Sequence, residues 1–206
     1  MKKFELTTEF ITNFLGTKLF RIKALVEFGK VEKGELGGFV EKEENLDHDG
    51  DAWVSGDAMV YGNARVSGNA EVYGDAEVYG NAEVYGNARV YGDAMVYGNA
   101  RVYGNARVYG NAWVSGNARV SGDAWVSGDQ MYAAVKGFGS EYRNTTFFIT
   151  KDGNVCVNCG CFSGTLEQFR EKVEETHKDT KYAKEYLMIA DLMEMHFKEE
   201  LEKIKK

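Results

Sequence analysis

Long apolar runs are missing from this chain, basic segments are missing too, and histidine and cysteine are scarce at three residues each. A membrane-crossing helix needs about twenty consecutive apolar residues, and no stretch approaches that length. The opening Met1-Lys2-Lys3-Phe4-Glu5 lacks the uninterrupted apolar centre of a secretory signal, so a cytoplasmic protein without membrane contact is expected. Net charge is −7, and the stretch from 50 to 129 carries five arginines against nine carboxylates, which disfavours binding to duplex nucleic acid. The cysteines, Cys156, Cys159 and Cys161, form one cluster rather than a spread framework, in keeping with a reducing compartment.

What the chain has in abundance is repetition. From Gly50 to Asp129 one six-residue unit, Gly-(Asp/Asn)-Ala-x-Val-(Tyr/Ser), recurs without insertion, with valine at every sixth position from Val54 to Val126. A fixed internal period dictates a stack of identical units. Ala and Val stand two residues apart, on one face of a short strand, while x and Tyr/Ser point the other way. Gly-(Asp/Asn) is the pair best able to take positive φ, so each strand ends in a corner. Three corners return the chain to its start, giving a triangular coil of eighteen residues and a core column of Val over Val.

This repeat resembles the hexapeptide-repeat family, whose fold is the left-handed parallel β-helix. The handedness is what the resemblance implies, since parallel crossovers are ordinarily right-handed. The expected class is therefore mainly β, a triangular solenoid with a C-terminal β-hairpin and two-helix appendage. Three regions are expected: an N-terminal cap and degenerate first coil over 1–49, the solenoid over 50–129, and a hairpin and helical region over 130–206.

At the front, Gly37-Gly38-Phe39-Val40 followed by Leu46 reads as a degenerate coil, and a two-residue offset brings the chain into phase at Val54. Leu19 to Leu25 reads as a strand or short helix covering that end. Behind the solenoid, Phe147 to Thr150 and Val155 to Val157 flank an Asp-Gly turn and read as a hairpin. Thr165-Leu166-Glu167-Gln168 has capping-box spacing and opens a helix to His177. A second helix is expected over 180–205, with Tyr182, Tyr186, Ile189, Met193, Phe197 and Ile204 on one face. That stripe reads as a seam against the first helix or the barrel, and its alternating steps of three and four also suit self-association as a trimer.

The Gly-Gly-Phe-Val-Glu of residues 37–41, the hexads, and the Gly-Cys-Phe-Ser-Gly-Thr-Leu of residues 160–166 together resemble a set of bacteriophage and prophage proteins. That resemblance implies a host cytoplasm as the setting and an anti-defence role, such as blocking a host effector or sequestering its signal.

Hexapeptide-repeat proteins are most often acyltransferases, in which a histidine deprotonates the acceptor and acyl-CoA lies between subunits of a trimer. Here His48, His177 and His196 all fall outside the hexads and no loop interrupts them, so a cap or helix role is the simpler reading and no catalytic residue is assigned. Cys156, Cys159 and Cys161 with His177 invite a zinc reading; because they fall in strand and turn segments, no metal and no cofactor are expected. Gly-Asp-Ala and Gly-Asn-Ala lack the Gly-Lys-(Ser/Thr) of a phosphate loop.

Residues eighteen apart stack. One outer face carries Trp53, Glu71, Arg89, Arg107 and Trp125 beside Ser55, Tyr73, Tyr91, Tyr109 and Ser127; another carries Arg65, Glu83, Arg101 and Arg119. Arg89 over Arg107 and Arg101 over Arg119 are like-charge neighbours that a purely structural stack would avoid. They point to an anionic partner or a subunit interface, and Tyr, Trp and Arg are the residues interfaces favour. The expected binding residues are Arg89, Tyr91, Arg107, Tyr109, Trp125, Arg101 and Arg119. The expected partners are a host protein or a small nucleotide-like anion, alongside a homotrimer. Aromatic ladders that merely stabilise a homo-oligomer are the competing account.

Overall fold

The structure, a computed structural model, describes residues 2–204; Met1, and the Lys205 assigned to the second helix, lie outside the described residues. The hexads form thirteen short strands, from β4 (Trp53–Val54) to β16 (Trp125–Val126), that pair only with strands one coil away. Val90 aligns with Val72 on one side and Val108 on the other. Every hexad Val and Ala from Ala52 to Val126 is fully buried. Burying one valine contributes about 1.5–3 kcal/mol, less than the roughly 1–2 kcal/mol per residue that ordering six residues costs. Only the stack, which adds inter-coil bonds and contacts, is stable. The hexad glycines from Gly50 to Gly122 take φ near +70°; at Gly98 (φ +73°) a Cβ would sit 3.0 Å from the Gly116 nitrogen, so this corner needs glycine twice over.

Three parallel sheets result. The first holds β4 and β16 with the Glu71, Arg89 and Arg107 strands between them. The second holds the strands of Met59, Glu77, Met95 and Trp113, and the third those of Arg65, Glu83, Arg101 and Arg119. Corner amides form ladders from Asn63 through Asn81 and Asn99 to Asn117 at 3.0–3.2 Å, and from Asn69 through Asn87 and Asn105 to Asp123 at 3.1–3.2 Å. Tyrosines stack as Tyr61–Tyr79–Tyr97, Tyr73–Tyr91–Tyr109 and Tyr85–Tyr103, with ring centroids 4.8–5.1 Å apart and planes within 8°.

The chain has no proline, so no hexad residue lacks the N–H that stacking uses. Corner and outward-facing N–H groups donate to the following coil: Asn63 to Gly80 O at 2.7 Å, Arg65 to Ala82 O at 2.9 Å, Ser67 to Val84 O at 3.0 Å. The first coil therefore presents Gly and Ala carbonyls with no coil before them, and the last coil presents N–H groups with none after. Side chains of matching polarity close both ends. Lys3 Nζ donates to Gly50 O (3.2 Å) and Ala52 O (2.9 Å), and Asn45 Nδ2 to Gly62 O (3.2 Å) and Ala64 O (2.8 Å). At the far end Asp129 Oδ1 accepts from Trp113 N–H (2.8 Å) and Thr146 Oγ1 from Arg119 N–H (3.0 Å). Open sheet edges are thereby blunted.

The front cap is a meander: β1 (Phe4–Thr12), β2 (Lys18–Ala24) and β3 (Leu36–Val40), which extends the second sheet by pairing Val40 with Val60 in parallel. Leu46 bridges Val66, twenty residues on, which is the two-residue offset expected from sequence. Strand β1 has no simple sequence signature, because its pairing with β2 shifts register between Leu6 and Phe10. At the back, β17 (Tyr132–Val135), β18 (Thr145–Ile149), β19 (Val155–Cys159) and β20 (Phe162–Thr165) form an antiparallel sheet, richer than the hairpin expected. Helix α1 (Leu166–His177) starts at the capping box of Thr165 and Gln168, and α2 (Lys181–Ile204) follows. Tyr186, Ile189, Met193 and Phe197 are buried in the common core, so this part of the stripe is a seam inside one chain, while Tyr182 and Ile204 are only partly buried. Met188 and Met195 face outward instead.

Candidate functional site

The x position of the first sheet brings three of the expected residues together. Arg89, Arg107 and Trp125 stand on successive coils and line a groove of about 290 Å³ with Asn87, Asn105, Asp123 and Lys151. Arg89 is paired with Glu71 (3.1 Å), and Lys151 reaches Asp123 (3.7 Å). Among the described residues Arg107 has no carboxylate within ion-pair distance; its guanidinium lies over the Trp125 ring, 5.6 Å from the centroid. The groove thus offers one uncompensated cation beside an aromatic face, flanked by two cations whose partners are half-exposed. A guanidinium so placed binds planar anions through paired N–H donors, and the indole offers a stacking surface.

Lys151 was not anticipated. It lies in the β18–β19 turn, whose backbone is tied to the last corner by Lys151 N–H to Asp123 O (3.2 Å), and no local pattern ties that turn to the first face rather than another.

The remaining expected residues lie outside this groove. Tyr91 is sandwiched between Tyr73 and Tyr109, so neither of its ring faces is free for a base; Tyr109 is stacked on Tyr91 and has Ser127 in the next slot. Burial, with the neighbouring tyrosine second, pushes the hydroxyls of Tyr73 and Tyr91 upward, so both stay protonated near neutral pH. Arg101 and Arg119 lie on the third sheet, not with Arg107. Arg101 is paired with Glu83 (3.0 Å), and Arg119 Nη1 donates to Gly160 O (3.1 Å) beneath the C-terminal sheet. The like-charge stack there is absorbed structurally. Trp53, assigned to the outer surface, is buried against Phe28 of the front cap, with ring centroids 5.4 Å apart.

His48 lines a groove of about 580 Å³ with Lys42, Glu43 and Arg65. Its Nδ1 accepts from Lys3 N–H (3.1 Å), Nε2 lies 2.7 Å from Glu43 Oε1, and the ring stacks on Phe4 at 4.4 Å. With Nδ1 an acceptor, Nε2 carries the proton and donates it to Glu43; both nitrogens are occupied, as in a cap-building histidine. The same bond, followed by the one from Lys2, holds the Glu43 carboxyl below its ordinary value. His177 ends α1 against Tyr182 and Tyr186, and His196 packs on Phe197.

Cys156 and Cys159 are three apart on β19 and Cys161 lies in the following turn. Burial pushes the Cys156 thiol up, and Cys159 contacts Thr145 Oγ1 (3.1 Å) and the Tyr186 hydroxyl (3.8 Å). Among the described residues no group of three His, Cys, Asp or Glu side chains is placed to hold a metal ion. No helix of the described residues is long and apolar enough to cross a membrane.

The repeat tract is similar to the YdcK beta solenoid repeat, whose family pattern matches residues 52–68, 60–74, 76–98, 88–103, 100–116 and 112–128. No curated protein matches the chain.

Proposed function

We propose that this β-solenoid is a non-catalytic binding protein whose Arg89–Arg107–Trp125 groove, completed by Lys151, takes a nucleotide-like anion or an acidic, aromatic-tipped surface of a host protein. The observation that carries the reading is Arg107, a guanidinium without a carboxylate, spread over an indole. In keeping with the phage-type resemblance, the benefit is anti-defence: occupation of a host effector or removal of its signal. The assembly implied by the hexapeptide-repeat resemblance, a homotrimer, belongs to this proposal and would form through solenoid faces.

The test uses Arg107→Ala with Lys151→Ala, which leaves the Arg89–Glu71 pair in place. Losing two charge-assisted contacts, each about 1.5–3 kcal/mol, weakens binding by at least about tenfold per contact. Native mass spectrometry of protein purified from its host reports any co-purifying ligand or protein and the assembly mass. The reading predicts that the double variant keeps its circular dichroism and its mass but loses the co-purifying species. Equal retention by both forms refutes it.

A second reading, a structural homo-oligomer, draws on one observation. The columns of this face read alike from either end, with Ser55 matching Ser127 and Tyr73 matching Tyr109, while Glu71 and Arg107 exchange sign. An antiparallel two-fold contact, in which one patch faces its own copy, would pair Glu71 with Arg107 across the interface. In that case the double variant dissociates. An acyltransferase would instead show acetyl transfer from acetyl-CoA that His48→Gln abolishes.

A further inference from the structure

A second cavity, independent of the solenoid groove, lies in the C-terminal region. It has a volume of about 250 Å³ and sits between the β19–β20 turn, α1, Tyr186 of α2 and the loop of residues 136–144. Its walls are predominantly apolar: Phe162, Phe169, Val173 and the ring of Tyr186. Phe169 is the hub, meeting Phe162 at 5.5 Å and Tyr186 edge-on at 5.6 Å. Such a chamber, mostly apolar with a few convergent polar groups, has the build of a small-molecule site.

The wall facing α2 is a fitted part. The loop carries three positive-φ residues, Gly137 (+94°), Gly139 (+72°) and Tyr142 (+50°). Gly139 donates its N–H to Glu185 Oε2 at 2.9 Å, and a Cβ at this position would run into the Tyr186 hydroxyl. Glycine therefore lets the loop close against the tyrosine. The turn places Arg143 across Gly160 at the cavity's edge, where Lys172 and His177 also line it. The single carboxylate in the lining, Glu141, lies 3.5 Å from Arg143, and both side chains are more than half exposed, so the pair holds the guanidinium weakly.

We propose that this cavity binds a small carboxylate with a compact apolar body, one aromatic ring or a branched chain, with its body among Phe162, Phe169, Val173 and Tyr186 and its charge on Arg143. The volume holds one ring and a short chain, too small for a nucleotide or an acyl-CoA. The predominantly apolar walls favour a compact apolar body over a sugar, whose many hydroxyls they could not all pair. The planar fork of arginine matches a carboxylate through two parallel hydrogen bonds. This site neither uses nor requires the Arg107 groove.

Fluorine NMR of para-fluorobenzoate with the full chain tests the proposal. Saturable broadening is expected with the wild type. The neutral isostere para-fluorobenzamide is expected to bind at least about tenfold more weakly, as is para-fluorobenzoate to Arg143→Ala, the loss of one charge-assisted contact. Val173→Trp, which fills the chamber, abolishes binding. As an internal control, saturating benzoate slows iodoacetamide alkylation of Cys161, which lines the cavity, and leaves the rate at Cys156, which does not, unchanged. If Val173→Trp fails to fold, the amide comparison and the cysteine protection decide the matter on the wild type. Absence of saturable binding, equal affinity for acid and amide, or alkylation of Cys161 at the same rate with and without benzoate overturns it.

Discussion

Replacing Lys3 by methionine removes a plug from the front of the solenoid. The ammonium is buried, donates to two carbonyls of the first coil and lies 4.7 Å from the centre of the Phe28 ring. Hydrogen bonds to a charged group contribute about 1.5–3 kcal/mol each, and a carbonyl left without a partner costs about 1–3 kcal/mol. Against this, burial pushes the Lys3 pKa below its ordinary 10.5, the desolvation outweighing the pull of Asp47, Asp51 and Asp49. The net loss therefore falls near the low end of two bonds, about 2–4 kcal/mol. For a chain of this size about 2–4 °C of Tm goes with each kcal/mol, so a drop of roughly 5–15 °C is expected in far-ultraviolet circular dichroism. The control is Lys2→Met, next in sequence but pairing with Glu43 in solvent. A Lys3→Met loss no larger than that of Lys2→Met would refute the end-capping argument. So would a Tm above the wild type, which would mean that the desolvation cost exceeds the bonds.

Gly98→Ala should destabilise more than Gly116→Ala: both have φ near +70°, but a Cβ at 98 meets the next coil at 3.0 Å whereas one at 116 meets nothing within 4 Å. The conformational part alone is of order 1–3 kcal/mol, and urea titrations of the two variants isolate the contact. Val90→Ala, in the middle of the fully buried column, should cost about 1.5–3 kcal/mol, measured in the same way. Because the folded-state pKa of Glu43 is depressed, its contribution is present above the ordinary 4.5 and is lost as pH falls through the lower folded value; Glu43→Gln should flatten that limb of the stability–pH curve.

The six-residue period made the solenoid, its sheets and its column neighbours legible, because a side chain's surroundings there depend only on residues eighteen away. Strand pairing places Arg89 between Glu71 and Arg107 as arithmetic requires. Where the period stops, a side chain's surroundings are no longer written in the sequence around it. Trp53 occupies an outward slot but is covered by Phe28, brought over it by a cap whose path no repeat encodes. Arg119 occupies an outward slot but is held by Gly160 of the C-terminal sheet. Lys151 joins the groove only because the β18–β19 turn docks on Asp123. Each of these depends on how a non-repeating segment meets a repeating one.

That docking makes the solenoid a phase-keeping spacer. Excising one complete coil would shorten the tube yet return the C-terminal sheet to the same side, with Lys151 again over the first face. Excising a single hexad would turn the sheet by a third of a revolution and carry Lys151 to a different wall, separating it from the arginine column. The chain can vary in length by eighteens while keeping its groove whole, and no smaller step preserves it.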